Sequence, residues 1–275
     1  MVLSCILICT FFITQLTAQE TDVTIIGVIH TANKVRNTEL LLEILKKEKP
    51  DVLLSETDTV SGYFTDRFTM VTPPSWYITA RKLGLAKKMP PEMDMLYRYQ
   101  AFNPNVIIHP FDHTIINRKK FVHNQETFEQ QWTTDLNKAY DRNEIPDNLA
   151  PQHKIFISYN NYLYNLYEED YMTINRPVVT DSLRKLMQIE YEHVSSLMKI
   201  VPRLKKYGSQ FMDQHTYWKT RNEIMSQNIL DFISMYKGRK IIVLTGILHK
   251  YYLEDLLSKY QTNKEFKLNN LTKDR

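Results

Sequence analysis

The stretch VTIIGVIHTANKVRNTELLLEILKKEKPDVLL, residues 23–54, decides the fold. Val23 to Val28 is a short, apolar, β-branched run of the kind that forms a buried strand. Asn37 or Thr38 is placed to cap a helix in which Leu41, Ile44 and Leu45 keep helical spacing. Pro50-Asp51 stops that helix, and Val52-Leu53-Leu54 opens a second buried strand. A strand, a helix and a strand within so few residues make a βαβ unit, and hence a parallel pair. The expected fold class is therefore α/β, with a predominantly parallel central sheet flanked by helices.

Outward from this unit, the segment from Gly62 to Gln100 is irregular and helical, rich in aromatics, Met and Pro. Val106 to Ile108 predicts a third strand, which runs out into His109-Pro110-Phe111-Asp112. Ile115 to Tyr236 has no convincing strand. It carries helical segments studded with Tyr and punctuated by Pro146, Pro151 and Pro177, and it reads as a large helical insertion at about 115–236. The core pattern resumes with a strand over Ile241 to Leu244, then Gly246, then a helix with Leu253, Leu256, Leu257 and Tyr260 on one face. Phe266 to Leu271 predicts a terminal edge strand.

The first residues, Met1 to Ala18, read as an export signal: Val2 to Ile13 is apolar, Thr14 to Thr17 turns polar, and Ala18-Gln19 supplies a cleavage point. The run is too short to span a bilayer. The expectation is an exported protein, periplasmic or secreted, with residues 19–275 as one α/β domain. Both cysteines, Cys5 and Cys9, fall inside the signal. The mature chain would then have no thiol catalysis, disulfides or Cys-type zinc sites. In Leu3-Ser4-Cys5 the apolar run follows the cysteine instead of preceding it, which argues against a lipid anchor. The chain has 275 residues, with only 6 glycines against 17 tyrosines, a composition that suits a helix-rich fold with aromatic packing. A formal net charge of +4 without a basic stripe gives no footprint for nucleic acid.

Four polar residues share one position relative to their strands. His30 ends the first, Glu56 the second, Asp112 follows the third and His249 the fourth. In open parallel sheets that carboxyl edge is where ligands bind, because the loops diverge there and leave a crevice. Two imidazoles and two carboxylates at one edge suit metal binding or general acid/base work. Gly27 and Gly246 stand near the ends of their strands, where the lack of a side chain lets a neighbour approach closely. Each feature has a bland alternative: a histidine that packs, a solvated Glu56 with Asp58 beside it, an Asp112 that caps a helix. The shared position is what distinguishes them. Farther along, helical spacing aligns Arg221 with Met225, Asn228, Ile229 and Phe232, an apolar stripe that should face the core. A guanidinium at its head needs an anionic partner, either a carboxylate such as Glu56 or an oxyanion of substrate.

Gly27-Val28-Ile29-His30, Glu56, the Arg221…Met225…Asn228 helix and Gly246-Ile247-Leu248-His249 together resemble the superfamily that joins TraB/PrgY, the TIKI proteases, GumN-like proteins, erythromycin esterases and the haem-binding ChaN proteins. Val106…Pro110-Phe111-Asp112 is similar to the third-strand segment of the esterase branch. The resemblance implies an exported hydrolase, peptidase-like or esterase-like, acting on a peptide or a small ester or amide. It implies that His30 and His249 serve as ligands of a divalent metal (manganese, cobalt or zinc) or as general bases, Glu56 as a ligand or water-orienting carboxylate, and Arg221 as an anchor or oxyanion stabiliser. Asp112 and His113 are secondary candidates, and His109 lies close by. The ChaN-like branch implies the alternative, a non-enzymatic protein that binds haem or another small ligand through His and Tyr. A further alternative is a scaffold acting through its Tyr-rich helices. Neither a Gly-x-Ser-x-Gly elbow nor a phosphate-binding P-loop is present.

Overall fold

The computed structural model describes residues 20–57, 79–80, 83–85, 90–112, 125–261 and 266–271. The expected export signal with Cys5 and Cys9, and the candidate His113, lie outside the described residues. Strand β1 (Thr21–Val28) leads to helix α1 (Thr38–Glu48), β2 (Val52–Ser55), α2 (Pro91–Phe102) and β3 (Ile107–Pro110). The helical insertion follows: α3 (Gln125–Asp141), α4 (Ala150–Leu166), the short α5 (Tyr171–Ile174), α6 (Pro177–Ile189), a π-helical turn (Glu190–Val194), α7 (Ser195–Ile200), a 3₁₀ turn (Lys205–Tyr207) and the long α8 (Gly208–Met235). The chain then returns through β4 (Lys240–Gly246), α9 (Ile247–Ser258) and β5 (Phe266–Asn269).

The sheet has five strands in the order β3-β2-β4-β1-β5, and every neighbouring pair is parallel. The α/β class expected from the sequence is thus the observed one, with the helical insertion between β3 and β4. Strand limits follow the partners. β3 starts and ends later than its apolar run because its residues pair one to one with Val52–Ser55, ending on Pro110. A proline is tolerated there because β3 is an edge strand and needs donors on one side only. Strand β4 outlasts its apolar run because it lies beside the long β1, as far as Val28 opposite Gly246.

Burial divides the strand residues between two faces. Ile26, Val28, Leu53, Ile242 and Leu244 pack with Leu41, Leu42 and Leu45 of α1 and Met93 and Leu96 of α2. Val23, Ile25, Val52, Leu54, Ile241 and Val243 pack with Met225, Ile229 and Phe232 of α8 and Leu253 and Leu257 of α9. The insertion has a core of its own, in which Trp132, Phe156, Leu186, Leu197 and Phe211 meet. Helix α8 belongs to both cores: Phe211 anchors its first turns in the insertion, and Met225 to Phe232 press on the sheet. No helix among the described residues is long and apolar enough to cross a membrane.

This topology fixes the crevice. The connection from β1 passes over β4 to reach β2, and the connection from β4 passes over β1 to reach β5. The two central strands thus send their chains in opposite directions, and a crevice opens at their carboxyl ends. The two Gly-x-x-His segments leave the sheet at that place, with Gly27 opposite Thr245 and Val28 opposite Gly246.

Strand β5 pairs with β1 only as far as Thr24, so the outer edge of β1 beyond it has no strand partner among the described residues. Asn175, fully buried after α5, takes over there. Its Oδ1 accepts from the Gly27 N–H at 2.7 Å and its Nδ2 donates to the Gly27 carbonyl at 2.9 Å. A Cβ on Gly27 would lie 3.2 Å from Lys250 Cδ, 3.3 Å from Ile247 Cα and 3.4 Å from Asn175 Oδ1. Glycine here admits both the start of α9 and the Asn175 amide. Asn175→Leu leaves two buried main-chain groups unsatisfied, and we expect a loss of about 2–4 kcal/mol, read by urea unfolding.

Candidate active site

Each candidate side chain is brought to the crevice by the end of a strand or by a helix that crosses it. Glu56 is the first residue past β2, and its N–H donates to the Leu244 carbonyl at 3.0 Å, which extends the sheet by one rung. Phe111, just past β3, donates to the Ser55 carbonyl at 3.0 Å. Asn228 of α8 donates from Nδ2 to the Phe111 carbonyl at 2.9 Å, tying that helix to the end of β3 and setting Asp112 beneath Arg221. His249 sits in the first turn of α9, and Gly246 immediately precedes that helix.

Arg221 stands at the centre. Its Nη2 donates to Glu56 Oε1 at 2.7 Å and to Asp112 Oδ2 at 2.7 Å, and its Nε donates to Asp112 Oδ1 at 3.1 Å. Its Nη1 donates to His249 Nε2 at 3.0 Å. A guanidinium has five N–H donors. Among the described residues these contacts engage all but one, and the remaining N–H is on Nη1. The side chains of Glu56 and Asp112 are only 8% and 2% exposed, so these charges are withdrawn from water and depend on one another.

Glu56 accepts at both oxygens. Its Oε2 takes Thr245 Oγ1 at 2.7 Å and the Gly246 N–H at 2.6 Å. Burial on its own would raise its pKa, but His249, Arg221 and these two donors outweigh it and hold the carboxyl down to about 2. Burial lowers the pKa of His249, with the Arg221 charge acting in the same direction against the pull of Glu56 and Asp112.

The protons on both imidazoles can be deduced from their partners. Asn222 donates from Nδ2 to the Trp218 carbonyl at 2.8 Å, so its Oδ1 faces His249 Nδ1 at 2.7 Å as an acceptor. His249 therefore carries its proton on Nδ1, and its bare Nε2 accepts from Arg221. The ring is also stacked on Trp218, with centroids 5.5 Å apart. His30 Nδ1 lies 2.6 Å from Glu92 Oε1, which places its proton on Nδ1 and leaves Nε2 bare. The hydrogen bond to Glu92 raises the pKa of His30 against the opposing effect of burial. The His30 side chain is 53% exposed, against 10% for His249, so His30 is the histidine that a substrate can reach.

Gly246 is the floor of the site. A Cβ there would lie 3.3 Å from His30 Nε2, 3.4 Å from Glu56 Oε2 and 3.5 Å from His249 Cδ2. A side chain here would crowd these three groups, so glycine suits their close approach. The structure thus brings together His30, Glu56, Asp112, Arg221, Gly246 and His249. Gly27 acts one layer below, where α9 crosses β1. His109 turns to the opposite face, stacking on Phe232 with centroids 4.6 Å apart and meeting Tyr236 Oη through Nε2 at 2.6 Å. Glu92, Asn175, Asn222 and Trp218 had no place in the sequence expectations. Asn222 and Trp218 were within reach of the helical pattern, since both fall on the buried side of α8; Glu92 lies in an irregular segment with nothing to single it out.

The donor set does not suit a divalent metal in this arrangement. Among the described residues no three His, Cys, Asp or Glu side chains are placed to share an ion. Arg221 already draws on Glu56 Oε1, both Asp112 oxygens and His249 Nε2, acceptors that such an ion would need. Comparison with known proteins gives no match, whether to family models, to curated proteins or to solved structures.

Two outcomes test this electrostatic arrangement. Arg221→Met removes the guanidinium from two buried carboxylates and should lower stability by about 3–5 kcal/mol in denaturant titration. Glu56 has a depressed folded pKa, so its contribution is complete above its ordinary value of 4.5 and is lost as pH falls through about 2. The stability gap between wild type and Glu56→Gln should therefore be widest near neutral pH and narrow progressively below 4.5.

Proposed function

We propose that the chain is a hydrolase of the superfamily it resembles, acting on a neutral acyl compound (a peptide, or a small ester or amide) by general-base activation of water. The observation that carries this reading is the convergence over Gly246 of an accessible His30 Nε2 with Glu56 and His249, both of which hold the Arg221 guanidinium, whose fifth N–H is unengaged among the described residues. A base and a fixed positive donor at one strand edge are what attack on a carbonyl requires.

In this mechanism His30 Nε2 removes a proton from water while the oxygen attacks the acyl carbon. The carbonyl oxygen becomes an oxyanion and receives the free N–H of Arg221. Collapse of the tetrahedral species breaks the bond to the leaving alcohol or amine, which takes the proton back from His30 Nε2. Glu92 holds the imidazole in the tautomer this needs and stabilises the imidazolium that forms. Glu56, Asp112 and His249 keep the guanidinium in position. With one buried cation between two buried carboxylates, the site has an excess of negative charge, which disfavours anionic substrates.

The test is a panel of uncharged peptides, esters and lactones. His30→Gln should lower the rate by about 10²–10⁴-fold without unfolding the chain. A base with a raised pKa is active only above it, so the rate should rise with pH along a limb centred above the usual imidazole value of 6.5. Glu92→Gln should move that limb to lower pH. Activity that survives chelation supports the guanidinium-centred site. Activity that is lost on chelation and restored by manganese, cobalt or zinc would replace it with a metal-centred one. A Soret band in the purified protein, together with no hydrolysis across the panel, would favour the haem-binding alternative instead.

A further inference from the structure

Near His30, three buried side chains each hold a polar atom without a protein partner among the described residues. Glu92 engages His30 through Oε1 only, and its Oε2 is buried and unpartnered. Tyr171, 2% exposed, has an unpartnered hydroxyl. Arg36, 1% exposed, donates through Nη1 and Nη2 to the carbonyls of Leu166, Tyr167 and Glu169 at the end of α4, but its Nε–H has no acceptor.

The three belong to one neighbourhood. Arg36 holds the Glu169 carbonyl two residues before Tyr171, and Tyr171 begins the turn whose Asn175 grips Gly27. The negative charge of Glu92 and the positive charge of Arg36 both act on the Tyr171 phenol, whose pKa burial raises further. The groups are also complementary: a carboxylate oxygen that accepts, a guanidinium N–H that donates, and a hydroxyl that does either. Leaving all three unmatched in the interior would be costly, and a single buried water can satisfy two to four such groups.

We propose that Tyr171 is a positioning residue: with Arg36 it encloses a buried water that binds Glu92 Oε2, and so fixes the carboxylate that orients His30. The water donates to Glu92 and is itself held by the Tyr171 hydroxyl and Arg36 Nε. One oxygen of Glu92 is then anchored from behind while the other faces the imidazole. The consequence for rate rests on the proposed hydrolysis, but the arrangement itself does not.

The test therefore uses no substrate. In the full chain with isotopically labelled histidine, nuclear magnetic resonance should show a far-downfield His30 Nδ1–H signal and a single Nδ1–H tautomer. Glu92→Gln should remove both. Tyr171→Phe should shift or lose the signal and populate both tautomers, while circular dichroism and thermal midpoint stay close to wild type. An unchanged signal and tautomer in Tyr171→Phe, where Glu92→Gln abolishes them, would overturn the proposal. If Tyr171→Phe does not fold, a high-resolution crystal structure of the wild type decides. Water density within hydrogen-bond reach of both Glu92 Oε2 and Tyr171 Oη supports the proposal, and its absence overturns it. Failure to find a hydrolysed substrate leaves this result standing, and the converse also holds.

Discussion

The carboxylates and His249 at the crevice are organised by one largely enclosed guanidinium. Arg221 comes from a helix, yet its contacts are with groups at the ends of β2 and β3 and on the first turn of α9. Its planar fork lets it meet Asp112 with two parallel bonds while the same Nη2 reaches Glu56. Lysine, a point charge on a flexible stem, cannot reproduce that geometry. Glu56 in turn leans on it, since Arg221 is one of the groups whose Coulombic and hydrogen-bond terms offset its desolvation. Site geometry and local stability are therefore a single problem with a single solution.

The sequence revealed the frame of this arrangement more readily than its supports. Residues 23–54 declare a parallel unit because the apolar period changes from strand to helix and back within a short span. The strand-end placement of His30, Glu56, Asp112 and His249 then locates the site, since parallel strands direct their carboxyl ends to one edge. Arg221 was legible because a charge at the head of an apolar stripe must find a partner. Local pattern could not assign partners across the chain. Glu92 lies 62 positions from His30 and Asn175 lies 148 from Gly27, and each pairing depends on how helices come to rest on the sheet. Asp112 looked like a possible helix cap and proved to be the bidentate partner of Arg221, a distinction that only tertiary placement makes.

The insertion is not an ornament on the sheet. Helix α8 has 28 residues, about 42 Å at 1.5 Å per residue, and carries one core at each end. Arg221 and Asn222 lie between those cores, with Trp218 one turn earlier stacking on His249. Packing in the insertion thus reaches the guanidinium along a continuous helix, with no flexible joint between them. The insertion also sends α5 back to the sheet, where Asn175 takes hold of β1.

That last contact bears on the outer edge of β1. A β-strand whose outer edge is bare offers another chain a row of donors and acceptors, the usual starting point for edge-to-edge aggregation. Beyond Thr24, β1 would be such a template, in the middle of an apolar sheet and beside the crevice. The Asn175 amide mimics one residue of an absent strand, returning a donor and an acceptor in the spacing Gly27 presents. A single side chain thus closes the ladder where β5 stops, and it leaves the mouth of the crevice free of a strand that would otherwise have to cross it.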